Sequence, residues 1–251
     1  MDIFYLIILI VTAFTIASAA GFGSSIIGLS IGLNLYPLTF LMPVLLPLNI
    51  IINLIIVLRN RSNISPEILK KIMILFPAGM IPGILIFLNF AMSKSIIIIF
   101  AAFILSISLR DIYRQYYNAH FLSAEFGKLN RSCLEKIYMF TAGMLHGIFA
   151  TGGPLLVLAT AGLNPGKDAF RSTLPLVWAS MNIILTITYI PAGIFNETTL
   201  KTTMLLLPFA LTGFFIGEYI HKEINEEHFK TLVSLLLIAS ASAMIIKNLI
   251  I

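Results

Sequence analysis

The chain has 251 residues, 59% of them hydrophobic and 11% charged, with a formal net charge of +5. A soluble domain carries about 25% charged residues, so this chain has too little polar surface to face water all round and is read as one integral membrane domain. The positive balance does not point to nucleic acid, because the basic residues sit in loops between apolar runs, where Lys and Arg mark the cytoplasmic side of a membrane.

The first apolar stretch, Ile3–Leu33, is interrupted by Gly21 and Gly23. Ala17-Ser18-Ala19 resembles a leader cleavage site, but the stretch is preceded by Asp2 and no basic residue. A secretion leader needs a basic start, so this segment is expected to stay as a structural helix. Leu38–Leu58, Ile72–Phe90 and Ser95–Leu109 follow as uncharged runs. A bilayer core takes about 20 apolar residues, and the shorter runs can be completed by their polar flanks. Arg59, Arg61, Lys70 and Lys71 flank one loop, and Arg110, Arg114, Lys128, Arg131 and Lys136 lie in or beside another, 113–133. Both loops are expected in the cytoplasm.

The second half begins with another broken stretch, Ile137–Leu163, in which Thr151-Gly152-Gly153-Pro154 stands mid-run. Ser172–Ala192, Thr202–Gly217 and Thr231–Ile246 complete the chain. The expected fold is therefore all-α: a polytopic helical bundle of about eight segments in a cell membrane. Cys133 is the only cysteine, which leaves no intrachain disulfide and no cysteine metal cluster. The charged group Glu218, His221, Glu223, Glu226, Glu227 and His228 has no compact ligand spacing and reads as a solvated loop. No metal or other cofactor is expected.

The halves look alike. Gly32-Leu33-Asn34 recurs as Gly162-Leu163-Asn164, and the same shift takes Gly23 to Gly153 and Glu67 to Glu197. One residue more takes Lys70 to Lys201, Met73 to Met204 and Pro77 to Pro208. Internal similarity of this kind marks repeat architectures. We read two homologous four-segment repeats, 1–112 and 134–251, joined by the loop 113–133. Each repeat opens with a glycine-broken helix. Whether the halves run parallel or inverted is open, because each broken stretch is long for one helix and short for two.

Glycine costs a helix about 1 kcal/mol and proline about 3, so the breaks need a reason. Irregular backbone at membrane depth survives only where it is buried in protein or lines a cavity. Proline suits the first turn of a helix, which predicts a short helix over Pro154–Leu163 and a counterpart from Gly23-Ser24-Ser25 to Leu33. A helix start carries unpaired N–H groups and about +0.5 of a charge. Two such starts facing each other at mid-membrane would bind an anion without a buried Lys or Arg. The candidate substrate-binding residues are Gly21, Gly23, Ser24, Ser25, Thr151, Gly152, Gly153 and Pro154. Packing of neighbouring backbones is the competing explanation for the glycines.

Other polar residues fall inside the runs. His146 lies seven residues before Gly153, about two turns, and could exchange a proton during transport. Asn49 and Asn53 share one helix face, and Asn182, flanked by Ser180 and Thr186, occupies the corresponding segment of the second half. These amides could line a polar path or hold helices together.

The glycine-rich openings AAGFGSSIIGLSIGL and AGMLHGIFATGGPLLVLATAGL resemble those of the sulfite exporter TauE/SafE family of membrane transporters, and the resemblance covers essentially the whole chain. It implies movement of sulfur-containing anions, such as sulfite and organosulfonates, across the cytoplasmic membrane. The family's second-half motif is usually a run of three or more glycines, where this chain reads TGGP.

The leading expectation is a secondary transporter of small anions. Its partners would be the bilayer and an anionic substrate, and a homo-oligomer is compatible with it. A channel of the same architecture is the alternative. A membrane-embedded enzyme is the remaining one, but no HExxH or paired intramembrane carboxylate occurs, and no Walker-type GxxxxGK[ST] sequence is present to hydrolyse a nucleotide.

Overall fold

A computed structural model describes residues 3–20, 23–116, 128–160, 167–223 and 226–250. Among the described residues the chain forms ten α-helices: α1 (Ile3–Ala20), α2 (Ser24–Gly32), α3 (Leu38–Arg59), α4 (Pro66–Phe90), α5 (Lys94–Tyr116), α6 (Lys128–Phe149), α7 (Gly153–Thr160), α8 (Lys167–Tyr189), α9 (Glu197–Glu223) and α10 (Glu226–Ile250). Six helices in this set are long and apolar enough to cross a bilayer. The order is the same in each half: one helix, one short helix, then three long ones.

Local chemistry explains the helix ends. Ser65 precedes α4, where its side chain accepts from the Ile68 N–H at 3.4 Å and Pro66 takes the first position, which needs no N–H partner. Asn196 caps α9: its Oδ1 accepts from the Thr199 N–H at 2.9 Å, and the Thr199 hydroxyl accepts from the Asn196 N–H at 3.1 Å. The second apolar segment of the second half stops earlier than its composition predicts. α8 ends at Tyr189 rather than Ala192, because Pro191 cannot continue the ladder and Gly193 turns the chain with a φ of 71°. Helix also extends into the connecting segment. α5 reaches Tyr116 and α6 starts at Lys128, so of the expected loop 113–133 only 117–127 is left, outside the described residues.

The helices gather into two compact units, each drawing on both halves of the chain. The first holds Met1–Leu41, Phe90–Gly127 and Leu206–Ile251. In it α10 packs on α5, α2 and α1. Ala13, Ala17 and Ile27 form a small core with Ile16, Ile31 and Leu237 against it. Gly213 and Gly217 of α9 lie on the backbone of α1; a Cβ on Gly217 would stand 2.3 Å from the Thr15 carbonyl. The end of α2 is tied to α10: Asn34 Nδ2 donates to Ser240 Oγ at 3.2 Å, Ser240 Oγ donates to the Ser30 carbonyl, and Lys247 Nζ donates to the Asn34 carbonyl at 2.8 Å. A cation suits the negative end of a helix.

The second unit holds Met42–Asn89 and Lys128–Leu205. α4 and α6 cross here on glycine. A Cβ on Gly79 would lie 2.0 Å from the Phe140 carbonyl, and one on Gly143 would lie 2.0 Å from the Phe76 carbonyl. Gly83 and Gly147 repeat the pattern four residues on. Pro47 of α3 has no N–H for the Pro43 carbonyl. The Thr203 hydroxyl of α9, which donates to the Thr199 carbonyl at 2.8 Å, also lies 3.5 Å from that Pro43 oxygen.

Candidate functional site

The α6–α7 break lies wholly in the second unit. The ladder of α6 runs out at the Ala150 N–H, which donates to the His146 carbonyl at 2.7 Å. Ala150 has a φ of 49°, a left-handed conformation that L side chains seldom adopt. The Gly152 carbonyl then accepts from the Leu156 N–H at 3.0 Å, which makes Gly152 the cap of α7. The first-turn N–H groups have no carbonyl of their own helix to reach. Pro154 has none, so Gly153 and Leu155 supply the donors. Thr151, Gly152, Gly153 and Pro154 are all buried.

Gly152 also has a packing role. A Cβ there would meet the Ala142 carbonyl at 2.2 Å and the Phe76 ring at 3.1 Å. The same Phe76 ring packs on His146, with centroids 5.3 Å apart and planes tilted by 53°. His146 is 1% exposed. Asn182 of α8 lies beside its ring, yet neither ring nitrogen of His146 nor Oδ1 of Asn182 closes a hydrogen bond. Buried polar atoms are nearly always paired, and the His146 ring and the Asn182 amide lie within reach of each other.

Neighbouring side chains hold the break in place. The Tyr189 hydroxyl donates to the Gly147 carbonyl, and its ring stacks on Phe87 at 4.6 Å. Tyr189, Phe76 and Ala150 carried no spacing signal that would have singled them out in the sequence.

The other predicted residues are placed as follows. Asn49 on α3 is 2% exposed, and its Nδ2 donates to the Leu45 carbonyl at 2.9 Å, so one amide proton is already engaged within its own helix. Asn53 is half-buried one turn on. Ser180 donates to the Leu176 carbonyl and Thr186 to the Asn182 carbonyl, each at 2.8 Å; both hydroxyl protons are used by α8 itself. In the first unit Gly23 caps α2 with a φ of 101°, and its carbonyl accepts from the Ile27 N–H at 3.0 Å. Ser24 and Ser25 open that helix. Gly21 lies outside the described residues, as does the predicted end of the second short helix at Leu163, since α7 is described to Thr160. The two breaks belong to different units. Among the described residues no three His, Cys, Asp or Glu side chains are grouped to hold a metal ion.

A family model described as sulfite exporter TauE/SafE matches residues 5–244. The chain belongs to the TauE/SafE family. That family is one of membrane transporters, and with six long apolar helices among the described residues this member is a multi-pass membrane protein. No curated relative and no solved structure matches the chain.

Proposed function

We propose that this TauE/SafE member is a secondary transporter that moves a small sulfur-containing anion, sulfite or a sulfonate, across the cytoplasmic membrane. The α6–α7 break is its binding place near mid-membrane. One observation carries this reading: the start of α7 is buried, and the Phe76 ring on which Gly152 packs also packs on His146, a buried side chain with Asn182 beside it. The N–H groups of Gly153 and Leu155, the Thr151 hydroxyl and a His146 N–H are donors suited to an oxyanion, and the helix dipole favours negative charge there. Asn49 and Asn53 of the same unit are proposed to contribute to binding, and the α2 start at Gly23-Ser24-Ser25 is proposed as a second anion-binding helix start. His146 is the side chain that would take up and release a coupling proton. The equal order of helices in the two halves supports the reading of two four-segment repeats.

The test is thermal stabilisation of the purified protein by sulfite, sulfate, thiosulfate, taurine and sulfoacetate, with carboxylates, cations and neutral solutes as comparison. A ligand that binds only the folded state stabilises it by about 2.7 kcal/mol at one hundred times its dissociation constant. One sulfur oxyanion should stabilise the protein and lose that effect in Gly153→Leu. Stabilisation by cations or neutral solutes alone, or an anion effect untouched in Gly153→Leu, overturns the reading.

A further inference from the structure

A pocket lies in the second unit, away from the α6–α7 break. It has a volume of about 260 Å³ and is lined by Lys70, Lys71, Ile74, Leu75, Glu135, Lys136 and Met139. Its walls are the first turns of α4 and the charged part of α6. Lys71 Nζ meets Glu135 Oε2 at 2.8 Å, which ties the two helices together and uses one positive charge. Lys70 and Lys136 are exposed, and among the described residues no ion pair engages either ammonium group. Three lysines against one glutamate leave the rim with an excess of two positive charges.

The floor of this pocket is apolar. Ile74, three residues after Lys71, is 74% exposed. Ile81 and Leu85, at 63% and 56%, continue that face of α4 seven and eleven residues further on, a helical repeat of one stripe. Polar rim and apolar track thus meet where the apolar part of α4 begins.

We propose that this pocket binds an anionic phospholipid, its phosphodiester on Lys70 and Lys136 and an acyl chain along Ile74, Ile81 and Leu85. Basic pockets between membrane helices recognise such headgroups. A free phosphate would use the lysines but not the apolar floor beside them. The site is distinct from the α6–α7 break: Met139 lies seven residues before His146, about 10 Å along α6.

Native mass spectrometry of the purified protein in micelles holding equal amounts of phosphatidylglycerol and phosphatidylcholine tests this. The expected result is retention of phosphatidylglycerol over phosphatidylcholine, a preference that falls about fivefold for each lysine removed in Lys70→Gln and Lys136→Gln and that millimolar inorganic phosphate does not abolish. Equal retention of the two lipids overturns the proposal, as does a preference unchanged in the double variant. Displacement of the lipid by inorganic phosphate at those concentrations overturns it in favour of a soluble-anion site.

Discussion

The hydroxyl of Tyr189 donates to the carbonyl of Gly147, one residue after His146. Gly147 lies in the last turn of α6, where carbonyls have no helical partner. The break that opens donors on α7 therefore also leaves acceptors on α6, and α8 supplies a phenol to cover one of them.

Replacing Tyr189 by Phe should keep the stack on Phe87 but leave that carbonyl unpaired. A buried unpaired group costs about 1–3 kcal/mol. Thermal unfolding of Tyr189→Phe in detergent should show a loss of that size. An unchanged midpoint would mean that the Gly147 carbonyl is satisfied another way.

Ala150 holds a left-handed conformation, which costs an L residue about 1–2 kcal/mol. Ala150→Gly should therefore leave stability unchanged or slightly raised, unlike alanine-to-glycine changes inside helices. Ala150→Val should lower it by more than about 1 kcal/mol, since a β-branched residue fits this region worse. Thermal melts of the two variants, compared side by side, check the sign.

An exposed helical glycine usually gains about 1 kcal/mol on change to alanine. At Gly143 the reverse is expected, because the new Cβ would sit 2.0 Å from the Phe76 carbonyl. Forcing apart a packed contact of this kind costs about 1–3 kcal/mol or more. Loss of folded yield or a lower melting midpoint in Gly143→Ala is the expected readout, and a gain would show that α4 and α6 do not cross this closely.

His146→Gln keeps a polar side chain in the same place but cannot exchange a proton near neutral pH. If the histidine carries the coupling proton, anion flux in proteoliposomes should persist in the variant and lose its dependence on an imposed pH gradient. Flux that still follows the gradient would assign the proton elsewhere.

Much of the helical plan is legible in the residues, because uncharged runs of membrane length can hardly be anything else. Gly23 and the Gly-Gly-Pro run announced the breaks for the same reason: each is costly unless the backbone requires it. The ends were less legible. Ala192 reads as apolar, yet it lies beyond Pro191 and outside the helix, and the start of α6 is hidden by lysines that helix and loop accommodate equally well. The surroundings of the break were not legible at all. Phe76 and Tyr189 reach His146 and Gly147 from other helices, and a pattern within one segment carries no information about which aromatic ring another segment will present. Gly152 packs on Ala142 and caps α7 at once, so close packing and a helix start share one residue.

The membership of the first unit has a consequence for biosynthesis. α1 is made before the other described helices, but the glycine face of α9 on which it rests, Gly213 and Gly217, comes about 200 residues later. At about 5–20 residues per second that is a delay of roughly 10–40 s. The second unit is complete at Leu205, so it can close while α1 and α2 still wait for α10. A chain stopped before Leu206 would carry one finished unit and a first unit that lacks α10 and the glycine face of α9, which makes that stage of synthesis the natural point for quality control to act.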